Sequence, residues 1–433
     1  MRTLAEWLGY IERQHPKAIA LGLERVGQVF SRMKIKLACP ILSVGGTNGK
    51  GSTCAMLESI LRAAGYRTAL YTSPHLLRYN ERVRIAGVEA SDEALAEAFS
   101  AVEQARGDVQ LTYFEFGTLA AFWLFSTEQL EAAILEVGLG GRLDAVNIVD
   151  ADCAVLTSVG IDHVEYLGAT REEIGREKAG IFRSGRPAVI ADPDPPRSVL
   201  DAAADKLLLG KDFGYQVQPG QWSYWGPGGR RSGLAHPALR GRIQLANAAA
   251  AICALGTLEL PIAMQDVRRG LAEVEIAGRF QVLPGRPQVI LDVAHNAQAA
   301  KVLAQNLSDA GFAPETIAVC GMLRDKDIGA VLRELAPRVT RWHLTSLSGP
   351  RGARADELAR HLQNEKKDLF DSPAAAFAAA KARAGEGDKI VVFGSFLTVA
   401  EVMAWLNNNK TWTRPSVVAA GGWWAPWRWC SSR

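Results

Sequence analysis

Apolar and polar positions along the chain predict a long alternation of strands and helices. Residues 3–14 place Leu4, Leu8 and Ile11 on one helical face, and His15-Pro16 closes that pattern. Leu21-Gly22-Leu23-Glu24-Arg25-Val26 reads as a loop entering a second helix that stops before Pro40. The run Ile41-Leu42-Ser43-Val44 predicts a buried strand ending in glycines, and an apolar helical pattern follows as far as Gly65. A second strand is predicted over 68–72. Ser91 caps a helix over 91–105 ahead of Asp92 and Glu93. Thr112-Tyr113-Phe114-Glu115-Phe116 opens an apolar helix that runs to about Phe125. Unbroken apolar runs at 132–137 and 153–158 predict strands buried on both faces. A charged helix over 170–182 and a strand over 187–191 come next. From 210 to 236, Trp222, Tyr224 and Trp225 alternate with glycine and proline, which suggests short antiparallel strands. Helices return over 244–257 and 263–272, and strands follow at 289–293, near 316–320, 341–345 and 389–393.

Two successive βα series imply two parallel-sheet α/β domains. The predicted division is 1–283 for a phosphate-loop domain and 284–410 for a smaller Rossmann-like domain, with Pro284-Gly285-Arg286-Pro287 as the linker. Residues 411–433 carry Trp423, Trp424, Trp427 and Trp429 among Gly, Ala and Pro without periodicity. They read as a disordered tail or a fusion scar rather than as an interfacial anchor.

At 433 residues, with 48% hydrophobic and 22% charged content, the chain is typical of a soluble globular protein of two or three domains. A net charge of +3 argues against a nucleic-acid binder that works through bulk charge, so any anionic ligand must be held by local groups. Cys39, Cys54, Cys153, Cys253, Cys320 and Cys430 are scattered without a C-x-x-C pair, which indicates neither a zinc site nor a disulfide framework. The N-terminal residues read as an amphipathic helix rather than a signal peptide, and no run of 18 uncharged apolar residues exists. A cytoplasmic enzyme is the expectation.

The chemistry begins at Gly45-Gly46-Thr47-Asn48-Gly49-Lys50-Gly51-Ser52-Thr53. Glycines let successive backbone N–H groups converge on one anion, and the helix N-terminus adds its dipole. Lys50 would hold the β/γ-phosphates, and Ser52 or Thr53 could reach Mg²⁺. The strict Walker pattern fails, because Val44 stands where it needs glycine and Gly51 where it needs Ser or Thr. Three later positions present polar groups just past predicted strands, where an open parallel sheet lines its ligand crevice. They are Ser73 before Pro74, Glu136 in Leu135-Glu136-Val137-Gly138-Leu139-Gly140-Gly141-Arg142, and His163 in Gly160-Ile161-Asp162-His163. A carboxylate at the end of a buried strand is costly unless paired or metal-bound, so Glu136 carries the strongest functional reading of the three. No Ser/His/Asp or Cys/His set for a protein nucleophile is evident. A P-loop switch or motor ATPase is the rival of a different class, but no Walker-B pattern of apolar residues then Asp lies beside the loop. A plain nucleotide-binding module leaves Glu136 and His163 unexplained.

As a set, these strings resemble the folylpolyglutamate synthase/dihydrofolate synthase family, relatives of the Mur peptide ligases, over residues 1 to about 409. In that family a glycine commonly separates the lysine from the hydroxyl residue, as Gly51 does. The resemblance implies a Mur ligase-like fold and an ATP-dependent carboxylate–amine ligase. Thr47, Asn48, Gly49, Lys50, Gly51, Ser52, Asn247, Arg279 and Asp292 would hold ATP. Ser73, Glu136 and His163 would ligate magnesium, with two ions expected, and Lys178 matches a lysine that is carbamylated in the family. Lys50, His163 and Lys178 are then the catalytic set. Thr112, Tyr113, Phe114, Glu115, Leu143, Asp144 and Ala145 resemble pterin-binding segments, with Tyr113 and Phe114 available for stacking. The implied substrates are dihydropteroate, tetrahydrofolates and L-glutamate, handled by a monomer. A Mur ligase acting on UDP-muramyl peptides is the nearer alternative, disfavoured by Gly51 and by Asp292-Val293-Ala294-His295-Asn296.

Overall fold

The computed structural model describes residues 2–17 and 19–409, so the tryptophan-rich stretch 411–433 lies outside the described residues. Eight strands form the first sheet: β1 (Ile41–Gly45), β2 (Thr68–Tyr71), β3 (Val83–Ile85), β4 (Val88–Glu89), β5 (Ala132–Glu136), β6 (Cys153–Leu156), β7 (Ala188–Ile190) and β8 (Lys206–Leu208). Their order is β4-β3-β2-β5-β1-β6-β7-β8. The six strands from β2 to β8 in that row pair in parallel, and β3 and β4 close the other edge antiparallel. Every residue of β1, β5 and β6 is buried, as the unbroken apolar runs require, because helices cover both faces. One face packs the helices Lys50–Ala63 and Ile243–Gly256, and the other packs Leu4–Ile11, Asp92–Arg106 and Tyr113–Ser126. Helix starts follow their sequence signals: Ser91 accepts the Ala94 N–H, and Thr112 and Glu115 close a reciprocal capping box.

The loosely patterned stretch forms a three-stranded antiparallel sheet of β9 (Gly214–Gln218), β10 (Gln221–Trp225) and β11 (Arg231–Leu234). Trp222 and Tyr224 point from it into the core beside the helix Ile243–Gly256. Second-sheet strands are β12 (Gln281–Leu283), β13 (Gln288–Leu291), β14 (Thr316–Cys320), β15 (Arg341–Thr345), β16 (Lys367–Phe370) and β17 (Lys389–Phe393), in the order β12-β13-β17-β14-β15-β16. Apart from antiparallel β12, this sheet is parallel, with an apolar layer on each face.

One expectation needs correcting. Gln281 pairs with Leu291 and Leu283 with Val289, so Pro284-Gly285-Arg286-Pro287 is a hairpin turn inside the second sheet and not a linker. The second sheet begins with β12 at Gln281, after the helix Met264–Glu273. Proline and glycine suit a tight turn as well as a linker, and hydropathy cannot tell the two apart.

Candidate active site

The strand ends β1, β2, β5 and β6, the N-terminus of the helix Ile243–Gly256 and the facing edge of the second domain enclose one cleft of about 1020 Å³. Of the residues singled out above, all but Tyr113 and Thr53 line it. Thr53 is fully buried in its helix, leaving Ser52 as the hydroxyl that faces the cleft.

The loop after β1 is built around glycines for steric reasons. Gly46 has φ +143°, and a Cβ there would sit 1.9 Å from Thr157 Oγ1; Gly49 has φ +92°, and a Cβ there would stand 2.7 Å from Asn247 Oδ1. The loop is pinned to the residues after β6: Thr47 N–H donates to Ser158 O at 2.8 Å, Thr157 Oγ1 donates to Asn48 O at 2.7 Å, and Thr47 Oγ1 accepts the Gly160 N–H at 2.9 Å. The helix begins at Lys50 with Gly49 as its N-cap and no side-chain cap, so its first N–H groups face the cleft. Lys50 Nζ donates to Gly46 O at 3.1 Å and lies back along its own loop.

Ser73 and Glu136 meet directly, with the Ser73 N–H donating to Glu136 Oε2 at 3.1 Å. Burial pushes the Glu136 carboxyl above its ordinary range, with Lys50 and the Ser73 N–H opposing the shift. His163 adopts a left-handed backbone, φ 52°, just after the β6 loop. Burial pushes its imidazole down to about 4, Asp162 opposing and Lys326 adding to the shift. Its neutral ring is the ligating form. Among the described residues no three His, Cys, Asp or Glu side chains cluster as a self-sufficient metal site. A hydroxyl, a carboxylate and a neutral imidazole at one cleft nevertheless fit a divalent cation whose remaining ligands are phosphate oxygens. Lys178, buried, donates to Gly46 O at 3.0 Å, and burial followed by the charge of Lys50 pushes its amine down to about 7.

The second domain contributes the facing wall. Asp292, just past β13, accepts N–H bonds from Phe280 and Ala294, each at 2.8 Å. Arg279 lies over the Phe396 ring at 5.1 Å and bears electrostatically on Asp292 and Glu136. Asn247 sits in the second turn of Ile243–Gly256, buried, and donates to Gln244 Oε1 at 2.9 Å. Sequence reasoning missed a polar seam across the cleft. Lys326 Nζ donates to Asp162 Oδ1 at 2.6 Å and lies 3.4 Å from His163 Nε2, and Asn48 exchanges hydrogen bonds with Asn296 at 3.2 and 3.0 Å. His295 Nε2 lies 3.6 Å from Asp162 Oδ2. Burial alone would raise the Asp162 carboxyl, but His295 and Lys326 hold it far below the usual carboxylate range. The sequence holds Asp325-Lys326-Asp327 in plain view, yet a charged run beyond a strand carries no sign of its distant partner.

The end expected to take the acceptor is lined by Leu21, Gly22, Phe114, Leu143, Asp144 and Ala145. The N-terminal loop does reach it, with the Gly22 N–H donating to Leu143 O at 3.2 Å. Phe114 packs on Gly138 and 6.1 Å from the Tyr71 ring. Tyr113 does not line the cleft; it sits edge-on to Tyr79 and against Arg82. Thr112 and Glu115 line it, but the capping box and the 2.8 Å ion pair from Arg25 to Glu115 occupy their polar atoms. Asp144 accepts N–H bonds from Leu139 at 2.7 Å and Val146 at 3.0 Å, and burial pushes its carboxyl up to about 6. His75 and Arg82 also line the cleft.

Residues 44–255 match the family model of the Mur ligase middle domain, and residues 278–396 match that of the Mur ligase glutamate ligase domain. The dihydrofolate synthase/folylpolyglutamate synthase of Escherichia coli K12 is 48% identical over 413 residues, covering 94% of this chain and 96% of that protein. The solved structure of E. coli FolC with DHPP and ADP superposes with a TM-score of 0.91 at 47% identity, covering 94% of this chain and 99% of that one. A bifunctional folylpolyglutamate synthase/dihydrofolate synthase solved with Mn, AMPPNP and L-glutamate superposes with a TM-score of 0.88 at 47% identity, covering 94% and 98%.

Proposed function

Since the chain belongs to the dihydrofolate synthase/folylpolyglutamate synthase family of Mur ligases, we infer that its cleft adds L-glutamate to dihydropteroate, forming dihydrofolate, and to tetrahydrofolates, extending their glutamate chains, with ATP cleaved to ADP. The observation that carries this reading is the cleft that the lysine–glycine loop of one domain lines together with Asp292 and Arg279 of the other.

In this reading the acceptor carboxylate attacks the γ-phosphate in line, giving an acyl phosphate and ADP. The deprotonated amine of glutamate then attacks the acyl carbon, and the C–O bond to phosphate breaks as inorganic phosphate leaves. Two anions must approach each other in the first step, so the residues that concentrate positive charge matter most. Lys50 and the open N–H groups of its helix hold the phosphates, assisted by Thr47, Asn48, Gly49, Gly51 and Ser52. Asn247, Arg279 and Asp292 hold the rest of the nucleotide. Ser73, Glu136 and His163 would ligate Mg²⁺, which supplies charge neutralisation on the phosphoryl oxygens. Lys178 would support a second ion: an amine held near 7 is partly neutral and can add CO₂, releasing a proton and turning a cation into a carbamate. Leu21, Phe114, Leu143, Asp144 and Ala145 flank the flat heterocycle of the acceptor. A cytoplasmic monomer completes the reading.

Isotope transfer tests the mechanism. With dihydropteroate carrying ¹⁸O in its carboxylate, an acyl phosphate predicts one ¹⁸O in the released phosphate per turnover. Phosphate free of ¹⁸O would contradict it.

A further inference from the structure

Arg82 differs from its neighbours along the chain. Arg84 is ion-paired with Glu58 at 2.5 Å and Arg78 with Glu89 at 2.5 Å, and across the acceptor end Arg25 is paired with Glu115. Among the described residues Arg82 has no ion-paired carboxylate. Its Nε–H donates to His75 Nδ1 at 2.9 Å, and its guanidinium lies 5.3 Å from the Tyr79 ring centre and 5.6 Å from that of Tyr113. A guanidinium only donates, so the His75 ring accepts at Nδ1 and fixes the plane of the fork. The fork is thus oriented through Nε and backed by aromatic faces, and among the described residues its terminal nitrogens have no protein acceptor.

Position supplies the acceptor. Arg82 and His75 line the same cleft as Phe114, Asp144 and Glu136; the Arg82 carbonyl accepts the N–H of Thr72, next to Ser73, at 2.9 Å, and its guanidinium lies against Tyr113, next to Phe114. A guanidinium in that cleft, without a protein carboxylate, is matched to a carboxylate on the ligand.

We propose that Arg82, with its fork oriented by His75, binds the attacking carboxylate of the acceptor and turns it toward the γ-phosphate. This rests on the ligase reading above. Neutralising that carboxylate lowers the repulsion between two anions on approach, and a bidentate fork fixes which oxygen points at phosphorus. His75 is the positioning residue in this arrangement.

The test compares dihydropteroate with its carboxamide, which keeps the heterocycle and removes the charge. In the wild type with ADP present, calorimetry should show the acid binding at least about tenfold tighter than the amide, the range of a charge-assisted bidentate pair. Arg82→Gln should bind both alike and raise the acceptor KM about 10- to 100-fold, leaving the KM for ATP and for glutamate unchanged, which also shows that the variant folds. His75→Asn, whose amide oxygen can replace Nδ1, should retain the preference for the acid, and His75→Phe should lose it. An unchanged acid-to-amide ratio in Arg82→Gln, or a rise in the glutamate KM alone, overturns the assignment while leaving the ligase reading intact. Wild-type protein that releases no ADP with dihydropteroate and glutamate overturns both.

Discussion

At the scale of single residues, the site is a set of ionisable groups forced together and displaced from their ordinary behaviour. Lys50 is the residue proposed to hold the phosphates. Replacing it with Ala should lower kcat about 10²- to 10³-fold, the cost of losing one well-placed transition-state donor. Steady-state kinetics checks this, and a kcat within threefold of wild type would be inconsistent with its role. Lys178 gives a pH prediction. Its folded amine titrates near 7 rather than near 10.5, so between those values the unfolded chain binds the extra proton and stability rises with pH. Below about 7 the buried amine is charged and its full penalty applies. Lys178→Met should therefore raise Tm in CO₂-free buffer at pH 6.5, with the gain shrinking toward pH 10. Thermal melts showing no gain at pH 6.5, or one that grows with pH, would contradict this. Much of this level was legible: Glu136 stood out because an acid closing an apolar strand needs a reason. Lys326 did not, because its partner Asp162 is 164 positions away and only the fold joins them.

At the scale of elements, the phosphate-loop helix is held by close backbone contact. Gly270 of the helix Met264–Glu273 faces Ile60 so tightly that a Cβ there would lie 2.5 Å from Ile60 Cα, and Ser59 Oγ donates to Gly270 O at 2.7 Å. Gly270→Ala should cost about 1–3 kcal/mol through overpacking, lowering Tm by several degrees. An unchanged melt would show that the two helices can separate freely. Central strands were readable from composition alone, since β1, β5, β6 and β14 are buried throughout. Edge strands were not: β16 reads Lys-Asp-Leu-Phe with two exposed positions, and β3 and β4 total five residues. The hairpin of β12 and β13 was hidden by a turn whose composition imitates a linker.

At the scale of the whole molecule, the candidate site belongs to neither domain alone. The loop and Glu136 lie at strand ends of the first sheet and Lys178 on the helix Arg171–Ala179 beside it, while Arg279 and Asp292 lie at the edge of the second. The Asp162–Lys326 pair crosses between them with side-chain exposures of only 10% and 7%. Removing one partner strands a buried charge, at about 3–5 kcal/mol. Lys326→Met should therefore shift the ligand-free protein toward an open form with a larger radius of gyration by small-angle scattering. A scattering profile identical to wild type would argue against the pair as an interdomain latch.

The most direct measurement of the central claim is ADP release from Mg-ATP with L-glutamate present and absent, using dihydropteroate and then tetrahydrofolate as acceptor. The account predicts release with each acceptor only when glutamate is present, and a product longer by one glutamate in each case. Release that ignores glutamate, or none with either acceptor, would contradict it.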